Sequence, residues 1–119
     1  MDLSFTTGWP AEWSNQIDEY LRGGRKKFDI KIEPEGTEFQ KAVWREMAKI
    51  PYGQTRTYAQ IAEAIGNPKA ARAVGTACGK NQYVIILPCH RVVATNGLGG
   101  FALGLEMKKR LLELEQKYK

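Results

Sequence analysis

The stretch TYAQIAEAIGNPKAARAVGTACG, residues 57–79, carries the strongest structural signal in the chain. Its first four residues form a capping box, which begins a helix that Gly66 ends. Asn67 can cap a following helix and Pro68 can occupy its first position, so this second helix is predicted to run to about Cys78. Two short helices joined by such a tight turn predict a helix-turn-helix.

The second helix of this pair has two distinct faces. Its core-facing positions are predicted to be Ala70, Val74 and Ala77. Its outward positions are predicted to be Ala71, Arg72, Gly75 and Gly79. Small outward residues let the helix backbone approach another surface closely, and Arg72 is the one long side chain among them. Such a face fits either a helix–helix contact with a solvated arginine or contact with a nucleic acid.

The remaining sequence alternates helical and extended patterns. Helical periodicity predicts helices over about 10–21, over 37–50 and over about 103–118. Alternation of apolar and polar residues predicts a strand over 28–32, and short extended stretches are predicted over 84–87 and 91–94. The pattern as a whole indicates a small helical module with a short β element, preceded by one helix and one strand.

Composition places the chain among ordinary globular proteins. Of its 119 residues 43% are hydrophobic and 26% are charged, which is typical of one folded domain with a short appendage. The longest apolar run, Tyr83 to Leu87, is far too short to cross a membrane, and the N-terminus lacks an export signal pattern. We therefore expect a cytoplasmic protein without a membrane partner.

The positive charge is unevenly distributed. The chain has a net charge of +5, yet residues 1–50 carry nine acidic and eight basic side chains, so the whole surplus lies in residues 51–119. A basic field concentrated in one module favours a polyanionic partner.

The cysteines and the histidine are too few for a closed zinc site. With two cysteines and one histidine in the chain, no metal and no cofactor are predicted. A disulfide between Cys78 and Cys89 is an alternative, but two reduced thiols fit better in a chain without an export signal. Cys78 lies on a predicted helix with no base nearby in the sequence, so it is interpreted as a packing residue.

Cys89 follows an apolar stretch and precedes His90, the sole histidine. A thiol becomes a nucleophile as its thiolate, which a neighbouring base or cation favours by lowering the thiol pKa. Sequence neighbours on a strand point to opposite faces, so contact between these two side chains requires a turn or a bridging water. Taken alone, the pattern fits either a catalytic cysteine or a buried structural one.

Three other residues are candidates on local grounds. Glu115 borders the apolar stripe of the last helix and needs a partner there, either Lys119 or His90. Tyr58 is either a core aromatic or a proton donor. Asn81 fits a left-handed cap after the preceding helix.

Residues 87–93, LPCHRVV, closely resemble the active-site signature of the O6-alkylguanine-DNA alkyltransferases. The similarity extends through residues 66–75, GNPKAARAVG, and residues 36–44, GTEFQKAVW. It covers essentially all of residues 36–119 and, more loosely, the segment before them. The resemblance implies a mainly α fold with a short β element: a winged-helix-like, helix-turn-helix catalytic domain over 36–119, preceded by a reduced α/β N-terminal segment over 1–35.

The resemblance also implies direct-reversal DNA repair. A methyl or small alkyl group would pass irreversibly from guanine O6, or more weakly from thymine O4, to Cys89. The thiol would lose its proton through water to His90, which Glu115 would hold. Tyr58 would donate a proton to the leaving guanine, and Asn81 would tie the helix-turn-helix to the active-site turn.

The implied partner is double-stranded DNA containing O6-alkylguanine, bound through its minor groove by a monomer. The arginine that fills the gap left by the rotated base corresponds to Arg72. Ala70, Ala71 and Gly75 would lie on the approaching helix face, and Thr95 would contact the DNA backbone.

Two other functions compete with this one. The first is a non-catalytic, alkyltransferase-like protein that binds lesions and recruits other repair factors, but members of that group typically replace the acceptor cysteine, which is present here as Cys89. The second is a helix-turn-helix regulator with a structural cysteine, which leaves the combination of Cys89, His90 and Glu115 as a coincidence.

Residues 101–104, FALG, depart from the family pattern, in which a tyrosine and a glycine pair are common. Leu103 is expected near the mouth of the pocket, where its bulk would narrow the entrance. On this basis methyl adducts are expected to react faster than benzyl-sized ones.

Overall fold

Five helices and a two-stranded sheet form the fold in the computed structural model, which describes residues 3–119. The helices are α1 (Ala11–Leu21), α2 (Glu38–Ala48), α3 (Tyr58–Ala64), α4 (Ala71–Gly79) and α5 (Leu105–Tyr118). The strands β1 (Arg56–Thr57) and β2 (Val92–Val93) pair in parallel, with Arg56 opposite Val92. Short 3₁₀ turns cover Ser4–Thr6 and Cys89–Arg91. The predicted fold class, mainly α with a short β element and a helix-turn-helix, is confirmed.

Both predicted capping boxes form. The Thr37 hydroxyl accepts a hydrogen bond from the Gln40 amide at 3.1 Å, and the Gln40 side chain accepts one from the Thr37 amide at 3.0 Å. Thr57 and Gln60 repeat the arrangement at 3.0 and 2.8 Å. These bonds satisfy backbone donors that the first turn of a helix leaves free, and so fix where α2 and α3 begin.

The helix-turn-helix consists of α3 and α4, packed on α2. At its centre the buried Trp44 donates its indole N–H to the carbonyl oxygen of Ala77 at 3.0 Å. Helix α4 begins at Ala71, later than predicted, because the Ala70 amide bonds to the Asn67 carbonyl and closes a separate turn around Pro68.

Two groups of buried residues stabilise the molecule. We call the group among α2, α3 and α4 the helical core; it includes Trp44, Met47, Ile61, Val74, Leu87 and Cys89. We call the group between α1 and α5 the N-terminal core; it includes Ile17, Tyr20, Val84, Ile85 and Leu111. Residues 84–89 therefore cross from one core to the other.

The predicted strand over 28–32 does not form. Its apolar residues are half-buried and its polar residues are exposed, as the alternation implies, but no strand pairs with it among residues 3–119. Side-chain amides take the place of a partner strand: Gln16 bonds to both backbone groups of Asp29, at 2.9 and 3.3 Å, and Gln82 bonds to both backbone groups of Glu35, at 2.8 and 3.3 Å.

The predicted extended stretch over 84–87 is a tight turn instead. The Leu87 amide donates to the Tyr83 carbonyl at 2.8 Å, and Ile85 has φ +75°. A short apolar run does not distinguish a strand from a turn that is buried on both sides.

The other predicted elements are shorter than expected. Of the stretch over 91–94, only β2 is a strand, and the last helix begins at Leu105, after Gly104 with φ +94°. In the described part of the chain, no helix is long and apolar enough to span a bilayer.

We predict that Thr37→Ala lowers the free energy of unfolding by about 1 kcal/mol, because the substitution removes the side-chain acceptor that caps α2. Urea denaturation followed by circular dichroism measures the change. The control is Thr55→Ala, which alters an exposed threonine outside the helices and is expected to have no measurable effect. Equal stabilities for the two variants would contradict the prediction.

Candidate active site

A cleft of about 550 Å³ lies between α4 and the loop that precedes α5. One wall is the predicted outward face of α4, with Ala71, Arg72, Gly75 and Gly79. Cys89 lies within the cleft, and Tyr58 and Phe101 also line it. The structure thus brings the small-residue face of the helix-turn-helix and the candidate nucleophile to one opening.

Cys89 occupies a buried turn that Asn81 holds in place. The Asn81 side chain donates to the Leu87 carbonyl at 2.8 Å and lies 3.3 Å from the Cys89 sulfur. Because Asn81 follows the end of α4, it connects the helix-turn-helix to the turn. Burial raises the pKa of the Cys89 thiol, and the Asn81 hydrogen bond together with the charge of Lys108 opposes that rise. The thiol at rest is therefore protonated at neutral pH and needs a base.

Glu115 is the buried acceptor at the centre of the site. Its Oε2 accepts from His90 Nε2 at 2.7 Å and from the Tyr20 hydroxyl at 2.5 Å. Its Oε1 accepts from Arg91 Nε at 2.9 Å and from the Gly53 amide at 3.0 Å. Burial alone would raise the pKa of this carboxyl, but the hydrogen bonds from His90 and Arg91 outweigh it and lower the pKa to about 2.

His90 is held as a neutral base. The ring is fully buried, which lowers its pKa, although the hydrogen bond to Glu115 opposes this shift. Because the ionised Glu115 accepts from Nε2, that nitrogen carries the proton and Nδ1 keeps its lone pair. Within residues 3–119, Nδ1 has no hydrogen-bond partner. A buried ring nitrogen in this state can accept a proton.

Tyr58 closes the cleft beside the loop over 99–102. Its hydroxyl accepts a hydrogen bond from the Gly100 amide at 3.2 Å, which leaves its own proton free to be donated. Burial raises the pKa of Tyr58, so the phenol stays protonated at neutral pH. Gly99 has φ +73°, and a Cβ there would lie 2.5 Å from the Tyr58 oxygen, so only glycine fits against this ring.

Comparison with known proteins now identifies the family. Residues 38–117 match the sequence profile of the 6-O-methylguanine DNA methyltransferase, DNA binding domain. The chain belongs to this DNA methyltransferase family. The methylated-DNA--protein-cysteine methyltransferase of Methanosarcina acetivorans is 57% identical over 105 residues, which span 87% of this chain and 67% of that protein.

Solved structures agree with this assignment. The structure of Mycobacterium tuberculosis OGT in complex with DNA superposes with a TM-score of 0.88 at 45% identity, covering 91% of this chain and 68% of that one. S. pombe Atl1, in complex with damaged DNA containing O6-carboxymethylguanine, superposes with a TM-score of 0.60 at 33% identity, covering 69% of this chain and 79% of that one. The chain is more similar to proteins named as methyltransferases than to Atl1, and this disfavours the non-catalytic alternative.

Three residues of this methyltransferase site were not among the predicted ones. Tyr20 and Arg91 both bond to Glu115. Lys108 is fully buried and donates to the Val92 and Gly100 carbonyls at 2.6 and 2.9 Å. A signal for Lys108 exists, since it lies three and seven residues before Leu111 and Glu115 on one helix face. Nothing local in the sequence relates Tyr20 to a carboxylate 95 residues away.

Leu103 does not lie at the mouth of the cleft. It packs against the N-terminal core, while Phe101 and Ala102 line the cleft at that point. The expectation that Leu103 narrows the entrance is therefore wrong, and the preference for methyl adducts that rested on it loses its basis.

The remaining predicted residues occupy varied positions. Thr95 is exposed just beyond β2 and does not line the cleft, and Ala70 is half-buried against the helical core just before α4. Cys78 and Cys89 are both free thiols, so the disulfide alternative is wrong. Cys78 packs with its sulfur 3.6 Å from that of Met47, and burial raises its pKa to about 12.

We predict that the methyltransferase chain loses stability on acidification in two stages. The buried His90 resists protonation below its ordinary pKa of 6.5, and Glu115 resists protonation between 4.5 and about 2. In both windows the unfolded chain binds more protons, so the free energy of unfolding falls as the pH falls. The lowered pKa of Glu115 contributes about 3 kcal/mol to the free energy of unfolding, which is lost as the pH falls through this window.

Urea denaturation at a series of pH values from about 7.5 to 3 measures this profile. Glu113→Gln removes an exposed carboxylate from the same helix and is expected to leave the profile unchanged, whereas Glu115→Gln flattens its lower part. A wild-type stability that stays constant between pH 6.5 and 3 would be incompatible with the assignment.

Proposed function

We propose that the chain repairs alkylated DNA directly, by one irreversible transfer of a methyl or small alkyl group from guanine O6, or more weakly from thymine O4, to Cys89. One observation carries this proposal. The residue that follows the thiol in the sequence is a buried histidine, with one ring nitrogen bonded to a carboxylate and the other without a partner among residues 3–119. This arrangement supplies the base that a protonated, buried thiol requires.

The transfer is written as a displacement at the alkyl carbon. The thiol proton passes through a water molecule to His90 Nδ1, and the Cys89 sulfur forms a bond to the methyl carbon. The bond between that carbon and O6 breaks, its electron pair stays on the guanine, and Tyr58 supplies a proton that neutralises the leaving base. The product thioether has no good leaving group, so each molecule acts once.

Cys78 does not compete with Cys89 as the acceptor. Both cysteines line the cleft and burial raises the pKa of both thiols, that of Cys78 to about 12, but only Cys89 is adjacent in the sequence to the histidine. The charge of Lys108 lowers the pKa of both thiols, whereas the hydrogen bond from Asn81 favours the thiolate at Cys89 alone.

Helix α4 is proposed to enter the minor groove of the duplex. Extruding the target base costs a few kcal/mol, which contacts along a basic face with small side chains offset. We assign Arg72 to the gap left by the rotated base, with Ala71 and Gly75 on the approaching face and Ala70 in the turn just before it. Thr95 is assigned to the DNA backbone.

The organisation of the chain follows the same proposal. Residues 36–119 are assigned to the catalytic DNA-binding domain and residues 1–35 to a reduced N-terminal segment. We propose that the protein acts in the cytoplasm. We also propose that it acts as a monomer and needs no cofactor, because the thiol, the base and the proton donor all come from one chain.

We predict that Cys89→Ser abolishes transfer while DNA binding persists, because the serine hydroxyl is a far weaker nucleophile than a thiolate. The protein is mixed with a duplex containing O6-methylguanine and analysed by intact-mass and peptide mass spectrometry. The wild type and the control Cys78→Ser, altered at the other cysteine of the cleft, should each gain one methylene. In the wild type that gain should map to the peptide holding Cys89. Binding without any mass gain in the wild type would instead support the lesion-binding function.

We predict that Arg72→Ala slows transfer from duplex DNA by about tenfold but leaves transfer from a single-stranded oligonucleotide unchanged, because a single strand has no stacked gap to fill. Single-turnover rates on the two substrates measure the difference. Arg110→Ala removes an arginine of α5 that pairs with Glu106 outside the cleft, and serves as the charge control. Equal losses on both substrates would mean that Arg72 contributes only its charge.

A further inference from the structure

Helix α1, in the N-terminal segment, supplies a hydroxyl to the base that activates the thiol. The Tyr20 hydroxyl donates to Glu115 Oε2 at 2.5 Å and lies 3.3 Å from His90 Nε2. Tyr20 is fully buried, and its ring packs near those of Phe28 and Tyr52, with centroids 5.5 and 6.1 Å away. The ring therefore belongs to the N-terminal core, whereas the hydroxyl belongs to the site.

The hydrogen bond of the Tyr20 hydroxyl does more than give a buried polar group a partner. Its proton is committed to Glu115, so its oxygen presents a lone pair toward His90 Nε2. That nitrogen then faces two acceptors, the Tyr20 oxygen and Glu115 Oε2, and both favour the tautomer with the proton on Nε2. In that tautomer Nδ1 is the nitrogen that accepts a proton.

We propose that Tyr20 is a positioning residue for alkyl transfer, which holds the Glu115 carboxylate against His90 Nε2 and so keeps Nδ1 available as the base. The inference rests on the proposed function, since it assigns the base of that reaction. Tyr20 acts through Glu115 and His90 and touches neither the thiol nor the substrate.

The charges around His90 determine the sign of the expected effect. Glu115 and Lys108 lie on α5, Arg91 is the next residue in the chain, and Tyr20 approaches from α1. Without the hydroxyl, the Glu115 anion keeps its bonds from Arg91 but has one donor fewer. It then attracts a proton on His90 more strongly, so the pKa of His90 rises.

The test compares Tyr20→Phe with Tyr52→Phe. Both changes remove one hydroxyl and keep the ring, but the Tyr52 hydroxyl has no hydrogen-bond partner in the described part of the structure. The control therefore removes a tyrosine hydroxyl close to the site without breaking a hydrogen bond. Because the chain has a single histidine, ¹⁵N NMR of labelled histidine reports the tautomer and the titration of His90 without ambiguity.

For Tyr20→Phe we expect transfer to slow by about tenfold at neutral pH, a part of the 10²–10⁴ that a general base contributes. We also expect the His90 titration and the acid limb of the pH–rate profile to move up by about one unit. Tyr52→Phe should match the wild type in all three measurements. A Tyr20→Phe variant that matches the wild type, or a Tyr52→Phe variant that shifts equally, would overturn the inference.

Failure of the proposed function would be seen separately. A wild-type protein that binds the lesion but gains no methyl group contradicts that function, while the His90 titration still decides whether Tyr20 sets the state of the ring. If Tyr20→Phe does not fold, the wild-type NMR spectrum decides instead. A downfield, slowly exchanging hydroxyl proton with a cross-peak to the His90 ring supports the inference, and its absence overturns it.

Discussion

A single buried carboxylate holds the site together. Placing Glu115 in the interior costs several kcal/mol unless donors surround it, and the fold supplies them from three separate places in the chain. Tyr20 comes from α1, Gly53 from the loop after α2, and His90 and Arg91 from the turn before β2, while α5 carries the carboxylate itself. Each of these elements is therefore fixed relative to the others by one charge, and the position of the His90 ring follows from that arrangement.

The sequence predicts best where the structural signal is local. The capping boxes at Thr37 and Thr57 and the small-residue face of α4 depend on neighbours a few positions apart, so the helix-turn-helix could be predicted before its structure was known. The prediction of a strand over 28–32 failed for a physical reason. Alternation indicates which side chains are half-buried, but it does not show what the backbone bonds to. Side-chain amides such as that of Gln16 can bond to the backbone as another strand would. The prediction of an extended stretch over 84–87 failed because an apolar run that is buried on both sides has the same sequence pattern in a strand and in a turn.

The candidate site was predictable in part. Cys89, His90 and Glu115 were related through the resemblance to a family, and the structure brings His90 and Glu115 together. Tyr20 was missed because its hydrogen bond to Glu115 joins residues 95 positions apart, which leaves no spacing to recognise. Lys108 lies at helical spacing from Leu111 and Glu115, but spacing alone does not show that its ammonium group is buried. A lysine on the stripe of an amphipathic helix usually extends to solvent, whereas Lys108 is fully buried and bonded to two carbonyl groups.

Ile85 gives the turn before Cys89 a particular place in folding. A β-branched residue at φ +75° is unfavourable on its own, so local preferences do not form this turn. Ile85 is buried in the N-terminal core, while Leu87 and Cys89 are buried in the helical core. The turn is stable when both cores are assembled, and the energy of assembly offsets its strain. A chain in which either core is unformed therefore lacks the turn that places Cys89 in the cleft.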